Sequence, residues 1–314
     1  MTRPEPRIAV LIPCYNEEST IAKVVRDFRA SLPGAVIAVY DNNSRDATAE
    51  RAREAGAVVR FETCQGKGNV VRRMFADVEA DIYVLVDGDD TYDASIAPAL
   101  IGKLIDEGLD IVSGRREATD ASAYRTGHVL GNRLLTGLTS LMFGVKLHDM
   151  LTGYRVMSRR FVKSFPSAAV GFGIETELTV HAVRLKVPMA EVATHYRERP
   201  AGSTSKLSTY RDGARILLTI AGLMRRERPL IFFTSIFAFF ALFSLTLGIP
   251  VVIAFFQTGR VEQFPTAVLV TGMMMLAFLS LFTGLMLDTV TRGRWEIKRL
   301  RYLAIPGPQD LKKP

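Results

Sequence analysis

Three short polar segments in the first 90 residues each follow an apolar stretch. They occupy residues 13–18, 41–46 and 87–90, and the last reads Asp87-Gly88-Asp89-Asp90. Carboxylate oxygens are preferred ligands of hard divalent cations, and such a cation can bridge phosphate oxygens. A glycine between two aspartates also lets the backbone approach a bound group closely. The Asp-Gly-Asp spacing therefore predicts a site for a divalent cation and a phosphate; the alternative is a solvated acidic turn.

The elements that must position these segments alternate between strand and helix. Apolar runs predict strands at residues 8–12, 36–40, 58–61, 82–86 and 111–113. Helical spacing and capping residues predict helices at 21–32, 44–55, 67–77 and 96–105, the second of them capped by Ser44. Alternating units of this length imply an α/β fold with a mostly parallel, Rossmann-like sheet covered by helices on both faces. Because ligands bind beyond the carboxyl ends of parallel strands, we expect the three polar segments to meet at one edge.

Other nucleotide-binding and secreted classes are disfavoured by what the sequence lacks. No GxGxxG motif follows the first strand, and residues 66–69 lack the spacing and hydroxyl residue of an NTPase phosphate loop. Two cysteines, Cys14 and Cys64, cannot form a disulfide framework. The first ten residues lack the apolar core of a signal peptide, so we expect a cytoplasmic N-terminus. We expect no nucleic-acid partner.

The composition changes sharply after Arg228. Residues 1–228 carry 32 Lys/Arg and 28 Asp/Glu, whereas residues 229–256 and 264–287 contain no charged side chain. About 20 apolar residues suffice for a membrane-spanning helix, so each run is long enough; a pair of buried core helices is the alternative. Basic residues cluster before the first run and after the second, which by the positive-inside rule places both termini in the cytoplasm.

These observations predict four regions. A cytoplasmic catalytic domain occupies residues 1–202, and an amphipathic juxtamembrane helix at 203–228 is predicted to lie at the membrane interface. For residues 203–228 an ordinary domain helix is the alternative. Two transmembrane helices follow within 229–288, and a basic cytoplasmic tail occupies 289–314. The protein is thus expected to be an integral, multi-pass protein of the inner or plasma membrane. The sequence leaves open whether the apolar helices also form a homo-oligomer.

Several motifs together resemble one enzyme family. They read VLIPCYNEE from Val10, YDNNSRDAT from Tyr40, VDGDDTYD from Val86 and VSGRR from Val112. These segments resemble the nucleotide-sugar domain of family 2 glycosyltransferases, which have the GT-A fold. The later segments DMLTGYR (149–155), GFGIETEL (171–178) and RPAGSTSK (199–206) resemble the dolichol-phosphate-mannose-synthase-like group of polyprenyl-phosphate glycosyltransferases. The similarity covers residues 8–206, and the two apolar runs match a bacterial subgroup.

The resemblance implies roles for individual residues. Those expected to bind the nucleotide sugar are Pro13, Tyr15, Asn16, Glu17, Asp41, Asn43, Lys67, Asp87 and Gly88. Asp87 and Asp89 are expected to bind Mg²⁺ or Mn²⁺ against the diphosphate, and Asp89 is counted as catalytic. Thr91 stands where related synthases have a third polar ligand. That leaves the third ligand open between Thr91, Asp90 and water.

The acceptor side should be positively charged, because a lipid phosphate and the nucleotide diphosphate must approach each other. Arginine forks neutralise such groups through paired hydrogen bonds. The candidates for the acceptor phosphate are Arg115, Arg125, Arg155, Arg199, Ser205 and Lys206, with Arg115 and Arg125 also counted as catalytic. A lipid phosphate arrives largely deprotonated, so no general base is expected, and Glu175 in particular is not expected to be one.

The expected function is therefore a membrane-anchored, inverting glycosyltransferase. It would move one hexose from a nucleotide sugar, with UDP favoured over GDP, to a polyprenyl phosphate on the cytoplasmic leaflet. Such an enzyme would belong to cell-envelope glycan biosynthesis. Two alternatives are kept: a glycosyltransferase with a glycan or protein acceptor, and a catalytically silent membrane scaffold of the same fold.

Overall fold

The computed structural model of the chain describes residues 5–118, 136–137, 139–141, 143–166, 173–197 and 221–311. The strands in these ranges are β1 Ile8–Cys14, β2 Val36–Asp41, β3 Val58–Phe61, β4 Ile82–Leu85, β5 Ile111–Ala118, β6 Arg155–Ser158 and β7 Met189–Tyr196. The helices are α1 Ile21–Ser31, α2 Thr48–Glu54, α3 Lys67–Asp77, α4 Ala97–Asp106, α5 Arg159–Ser164, α6 Ile174–Leu185, α7 Pro229–Thr258 and α8 Phe264–Leu303. Short 3₁₀ turns occupy Ala94–Ile96 and Pro308–Leu311.

The strands form one mixed sheet in the order β3-β2-β1-β4-β6-β5-β7. Only β6 runs antiparallel to its neighbours β4 and β5 among these strands. The central strands β1 and β4 are almost wholly buried and apolar, as strands covered on both faces must be. Helices α1 and α4 cover one face, where Val10 and Ile12 lie, and α3 covers the other, where Phe75 packs against Tyr83. The predicted mostly parallel α/β sheet is confirmed.

Strand direction determines which loops share the functional edge. β1, β2 and β4 are mutually parallel, so their carboxyl ends lie together. β6 starts at that edge, because Arg155 pairs with Leu85 at the end of β4 and with Ser113 of β5. The loop that precedes β6 is therefore brought to the end of β4, although the two segments are far apart in sequence.

Two local predictions were wrong. The second helix begins at Thr48, because the Ser44 hydroxyl does not cap it but accepts a hydrogen bond from the Asn16 backbone N–H at 2.9 Å. The fifth strand continues to Ala118 instead of ending at Ser113, because its second half pairs with β7. Both differences arise from contacts between segments that sequence periodicity does not reveal.

The described residues separate into two compact units. Residues up to 197 group with residues 297–311, and residues 221–296 form the second unit. In the second unit, α7 and the first part of α8 are long and apolar enough to cross a membrane, judged by length and composition. Their outward side chains are large and exposed, for example Phe239 at 65% and Phe282 at 64%. Exposed apolar area of this extent suggests a membrane anchor.

Small residues hold the two apolar helices together. The Ser244 hydroxyl donates a hydrogen bond to the Val270 carbonyl at 3.0 Å. A Cβ on Gly284 would lie 2.8 Å from the Cβ of Phe233, so this glycine allows the helices to approach closely. Close approach at small residues is the usual way that helices associate in a bilayer.

Candidate active site

Asp89 is fixed at the end of β4 by its own loop. Its side chain is 3% exposed, and Oδ1 accepts hydrogen bonds from the Thr91 hydroxyl at 2.6 Å and the Thr91 backbone N–H at 3.3 Å. Asp90 instead contacts Lys23, whose ammonium lies 2.7 Å from Oδ1. The two residues considered for a third cation ligand therefore hold the loop: Thr91 orients Asp89, and Asp90 pairs with Lys23.

Asp87 lies in an ion-pair cluster of three residues. The Lys67 ammonium is 2.5 Å from Asp87 Oδ1 and 2.6 Å from Glu175 Oε1. Burial works against the charge of Lys67, but the two neighbouring carboxylates outweigh it, so the pKa of Lys67 lies above its ordinary value. Lys67 is therefore a permanent cation at the edge of the sheet. Glu175 is paired with it, an arrangement unlike that of a general base awaiting a proton.

The backbone around the two aspartates is closely packed. A Cβ on Gly153, in the loop that precedes β6, would lie 2.2 Å from Asp87 Oδ2. A Cβ on Gly88 would lie 2.7 Å from Cys14 Sγ, and the Gly88 carbonyl accepts a hydrogen bond from the Thr20 hydroxyl at 2.7 Å. The two glycines thus allow the Asp87–Asp89 loop to sit against β1 and the β6 loop.

The end of β2 forms a buried polar pocket. Asp41 is 4% exposed, and its Oδ1 has no hydrogen-bond partner within the described residues, while Oδ2 accepts from the Ser44 backbone N–H at 3.2 Å. Asn42 fastens the loop after β3 to this pocket. Its amide donates to the carbonyls of Glu62 and Cys64, and its Oδ1 accepts from the Gly66 N–H at 2.7 Å. A buried, unpaired carboxylate oxygen is suited to accept a ligand N–H.

The loops after β1 and β2 are joined by hydrogen bonds. Asn16 Oδ1 accepts from the Arg45 N–H at 2.8 Å, and the Glu17 N–H donates to Thr48 Oγ1 at 2.8 Å. Pro13 is buried at the end of β1, Tyr15 and Glu17 are half-buried, and Asn16 is exposed. Asn43 is also exposed and adopts a left-handed backbone, with its amide donating to the Thr63 carbonyl. The predicted nucleotide-binding residues therefore surround one edge of the sheet.

The sequence matches the family described as Glycosyl transferase family 2 over residues 9–165. This chain belongs to that family. Glycosyltransferase AglJ of Haloferax volcanii is 34% identical to it over 250 residues, which cover 79% of this chain and 81% of AglJ. The dolichyl-phosphate hexose transferase of the same organism is 33% identical over 221 residues, which cover 70% of this chain and 95% of that protein.

A solved structure of similar fold carries ligands. Glucosyl-3-phosphoglycerate synthase from Mycobacterium tuberculosis, crystallised with Mn²⁺, uridine diphosphate and glucosyl-3-phosphoglycerate, has a TM-score of 0.57 and 26% identity. The match covers 70% of this chain and 79% of that one. The sheet and its helices in this glycosyltransferase are therefore GT-A-like, as the resemblance implied.

The two aspartates of the glycosyltransferase fit a divalent cation. Asp89 is buried and oriented by Thr91, and Asp87 occupies a cradle that a side chain at position 153 would fill. No group of three or more His, Cys, Asp or Glu side chains in the described ranges is arranged to hold a metal ion, so these two would need ligands from water or substrate. A bound cation would neutralise the diphosphate of a nucleotide sugar and stabilise the departing nucleotide.

The acceptor-side arginines take different positions. Arg115 lies in the second half of β5, which pairs with β7 alone; it is 33% exposed and forms an ion pair with Glu117. Arg155 is 1% exposed, and its guanidinium donates to the carbonyls of Met150, Thr152 and Glu175. This arrangement favours a structural role for Arg155 over the predicted phosphate contact, because its hydrogen bonds go to these three carbonyls and to the Thr179 hydroxyl. Arg125, Arg199, Ser205 and Lys206 lie outside the described residues.

One polar network at the site was not predicted. Arg116 makes a paired contact with Asp149, at 2.7 Å to Oδ2 and 2.8 Å to Oδ1, while Glu191 accepts from the His148 N–H. Hydrogen bonding to Asp149 outweighs burial and keeps the pKa of Arg116 above its ordinary value. The repeated arginine of VSGRR and the aspartate that opens DMLTGYR were the sequence signals for this pair. Arg116 fixes the loop before β6 against β5.

Proposed function

We propose that this glycosyltransferase transfers one hexose from a nucleotide sugar to a polyprenyl phosphate at the cytoplasmic face of the membrane. The observation that carries the proposal is the presence, in one chain, of an Asp-Gly-Asp segment at the end of β4 and two exposed apolar helices that are long enough to cross a membrane. A lipid acceptor explains why a soluble-type catalytic domain is joined to a membrane anchor. The relative named dolichyl-phosphate hexose transferase supports an acceptor of this chemistry.

The proposed donor is a UDP-hexose, bound with Mg²⁺ or Mn²⁺ at Asp87 and Asp89. The unpaired Oδ1 of Asp41 would accept an N–H of the base, which both uracil and guanine offer. UDP is preferred over GDP because the solved relative binds uridine diphosphate. Tyr15 and Glu17 would contact the base and ribose, and Lys67 the diphosphate.

The proposed reaction is a single displacement with inversion. An oxygen of the lipid phosphate attacks the anomeric carbon, and the bond from that carbon to the diphosphate breaks on the opposite side. The nucleophile carries its negative charge already, so alignment and charge compensation replace proton abstraction. Arg115 is the described arginine best placed to compensate the acceptor charge, together with the predicted Arg125, Arg199 and Lys206.

The test uses membranes from cells that express the full chain, incubated with a panel of radiolabelled UDP- and GDP-sugars. Label that becomes chloroform-soluble in wild-type membranes and not in matched Asp89→Asn membranes is the expected result. Water-soluble labelled product would instead indicate a glycan, protein or small-molecule acceptor. No transfer from any sugar would indicate the scaffold alternative.

A small phosphorylated acceptor is the second candidate, because one observation favours it. The solved relative was also crystallised with phosphoglyceric acid, with 26% identity and a TM-score of 0.58. A phosphate or carboxylate on a soluble acceptor would need the same arginines as a lipid phosphate. The partition of the label between chloroform and water distinguishes the two.

A further inference from the structure

Lys67 lies where it can compete with a cation for Asp87. Its ammonium contacts Asp87 Oδ1 at 2.5 Å and Glu175 Oε1 at 2.6 Å, and the side chains of Lys67 and Glu175 are only 13% and 9% exposed. Asp87 is also one of the two aspartates that fit a divalent cation. An ammonium held this closely against a carboxylate opposes a second positive charge on the same group.

The backbones around the cluster are held by hydrogen bonds, whereas Lys67 carries its ammonium on a flexible four-carbon stem. Glu175 lies in the first turn of α6, and its carbonyl accepts hydrogen bonds from Arg155 at 3.1 Å and from the Thr179 hydroxyl at 3.0 Å. Lys67 begins α3 directly after Gly66, whose N–H is held by Asn42. On the other side, the backbone of Gly153 restricts Asp87.

We propose that Lys67 is an internal competitor of the divalent cation for Asp87, and that Glu175 is a positioning residue that retains the ammonium when Asp87 binds the cation. The inference rests on the proposed function only in taking Asp87 as a cation ligand. Without Glu175, Lys67 would depend on Asp87 alone and would compete more strongly. With a nucleoside diphosphate present, phosphate oxygens would give Lys67 a further partner, so the cation and the nucleotide would bind cooperatively.

The experiment measures Mn²⁺ binding to the purified full chain in detergent, without nucleotide or lipid. Electron paramagnetic resonance of free Mn²⁺ gives the dissociation constant. The Asp89→Asn variant serves to measure how much Mn²⁺ binds at other sites on the protein. Removing the competing charge in Lys67→Met should tighten Mn²⁺ binding by about tenfold, the scale expected for a charge within ion-pair distance. Glu175→Gln should weaken it by at least about threefold.

The double variant distinguishes an effect that Glu175 exerts through Lys67 from a simple change of local charge. If Glu175 acts through Lys67, Glu175→Gln should have almost no effect in the Lys67→Met background, whereas independent charges would give additive effects. Glu177→Gln removes the same charge from the same helical turn and serves as the matched control. It should change Mn²⁺ affinity less than Glu175→Gln does.

Three results would overturn the proposal: unchanged or weaker Mn²⁺ binding in Lys67→Met, additive effects in the double variant, or equal effects of Glu175→Gln and Glu177→Gln. Thermal melting checks each variant, and Lys67→Gln replaces Lys67→Met if the latter fails to fold. Because the assay contains no donor or acceptor, failure of lipid labelling would overturn the proposed function and leave this result standing. If lipid labelling succeeds but one of these three results is obtained, the proposed function stands and the competition between Lys67 and the cation is overturned.

Discussion

At the residue scale, the proposed cation site depends on a few short contacts around two carboxylates. Asp89 is oriented by the Thr91 hydroxyl, and Asp87 is paired with Lys67. The two aspartates therefore have different surroundings: one is held by a neutral hydrogen-bond donor, the other by a charge. Substitutions at the two positions should accordingly affect catalysis for different reasons.

Asp89→Asn should lower turnover by about 10²–10³-fold, because neutralisation of the diphosphate charge in the transition state is lost. Chelation with EDTA should abolish wild-type activity, and added Mn²⁺ or Mg²⁺ should restore it. Initial rates of transfer with saturating donor provide the measurement. Undiminished activity in excess chelator would contradict the assignment of the Asp87–Asp89 pair.

Glu175→Gln should keep turnover within about tenfold of the wild type, or about 1.4 kcal/mol of barrier, when the divalent cation is saturating. The reason is that Glu175 is paired with Lys67, and the proposed phosphate nucleophile needs no proton removed. Arg115→Ala should cost much more, because the acceptor charge then faces the diphosphate unscreened. The measurement is steady-state turnover of both variants with saturating acceptor. A large loss in Glu175→Gln beside an active Arg115→Ala would indicate a general base and a hydroxyl acceptor.

At the scale of elements, the antiparallel strand β6 determines how the site is closed. It brings the preceding loop against the end of β4, where Gly153 lies against Asp87. The Gly153 N–H donates a hydrogen bond to the Tyr92 hydroxyl at 2.8 Å. Arg116 and Asp149 fasten the first part of the same segment to β5. A parallel strand in this position would have placed its preceding loop at the opposite edge.

Gly153→Ala should displace Asp87, because the new Cβ would lie 2.7 Å from its carboxyl carbon. We expect weaker Mn²⁺ binding and a higher KM for the donor, with the melting temperature changed little. Gly102→Ala in α4 is the control, since no atom lies within 4 Å of its added Cβ. Wild-type Mn²⁺ affinity in Gly153→Ala would show that Asp87 tolerates the shift.

At the scale of the whole molecule, the segment beyond the apolar helices is part of the catalytic unit. Residues 297–311 group with the sheet, and the Tyr302 hydroxyl donates to buried Asp110 Oδ2 at 2.6 Å. Asp110 also accepts from Ser158 and Arg160, and the Arg160 guanidinium lies 4.7 Å from the centre of the Tyr302 ring. The catalytic unit therefore includes residues from before and after the apolar helices.

Tyr302→Phe should destabilise the catalytic unit by about 1–3 kcal/mol, because buried Asp110 loses a hydrogen-bond donor. Leu303→Ala changes an exposed neighbour and is the control. Hydrogen exchange at the start of β5, next to Asp110, is the measurement. Equal protection in both variants would show that the tail is dispensable for the fold.

The topology prediction concerns the turn between the apolar helices. A cysteine at Arg260 should react with a membrane-impermeant maleimide in intact cells, and a cysteine at Pro314 should react only after permeabilisation. Native Cys64 is exposed on the catalytic unit, and in the same experiment it should react only after permeabilisation. Protection of residue 260 in intact cells would indicate a re-entrant or buried helix pair.

The sequence by itself determined the features that depend on local pattern. Apolar runs placed β3 at its observed bounds and the other predicted strands within a few residues, except β5, and helical spacing placed α3 at its observed bounds. Uncharged stretches of 28 and 24 residues located the apolar helices, because hydrophobic length is a property of the chain alone. The Asp87–Asp89 spacing after an apolar run predicts a cation site from local pattern alone, and that site stays a prediction.

Only the tertiary structure decided which charges meet. Lys67 and Glu175 are 108 residues apart, and nothing in their spacing indicates that they share an ion pair with Asp87. Arg155 looked like a phosphate ligand, yet β6 pairs on both sides and turns its guanidinium toward backbone carbonyls. Tyr302 reaches Asp110 across 192 residues. Such contacts depend on strand order and packing across the chain, whereas local periodicity specifies only the elements themselves.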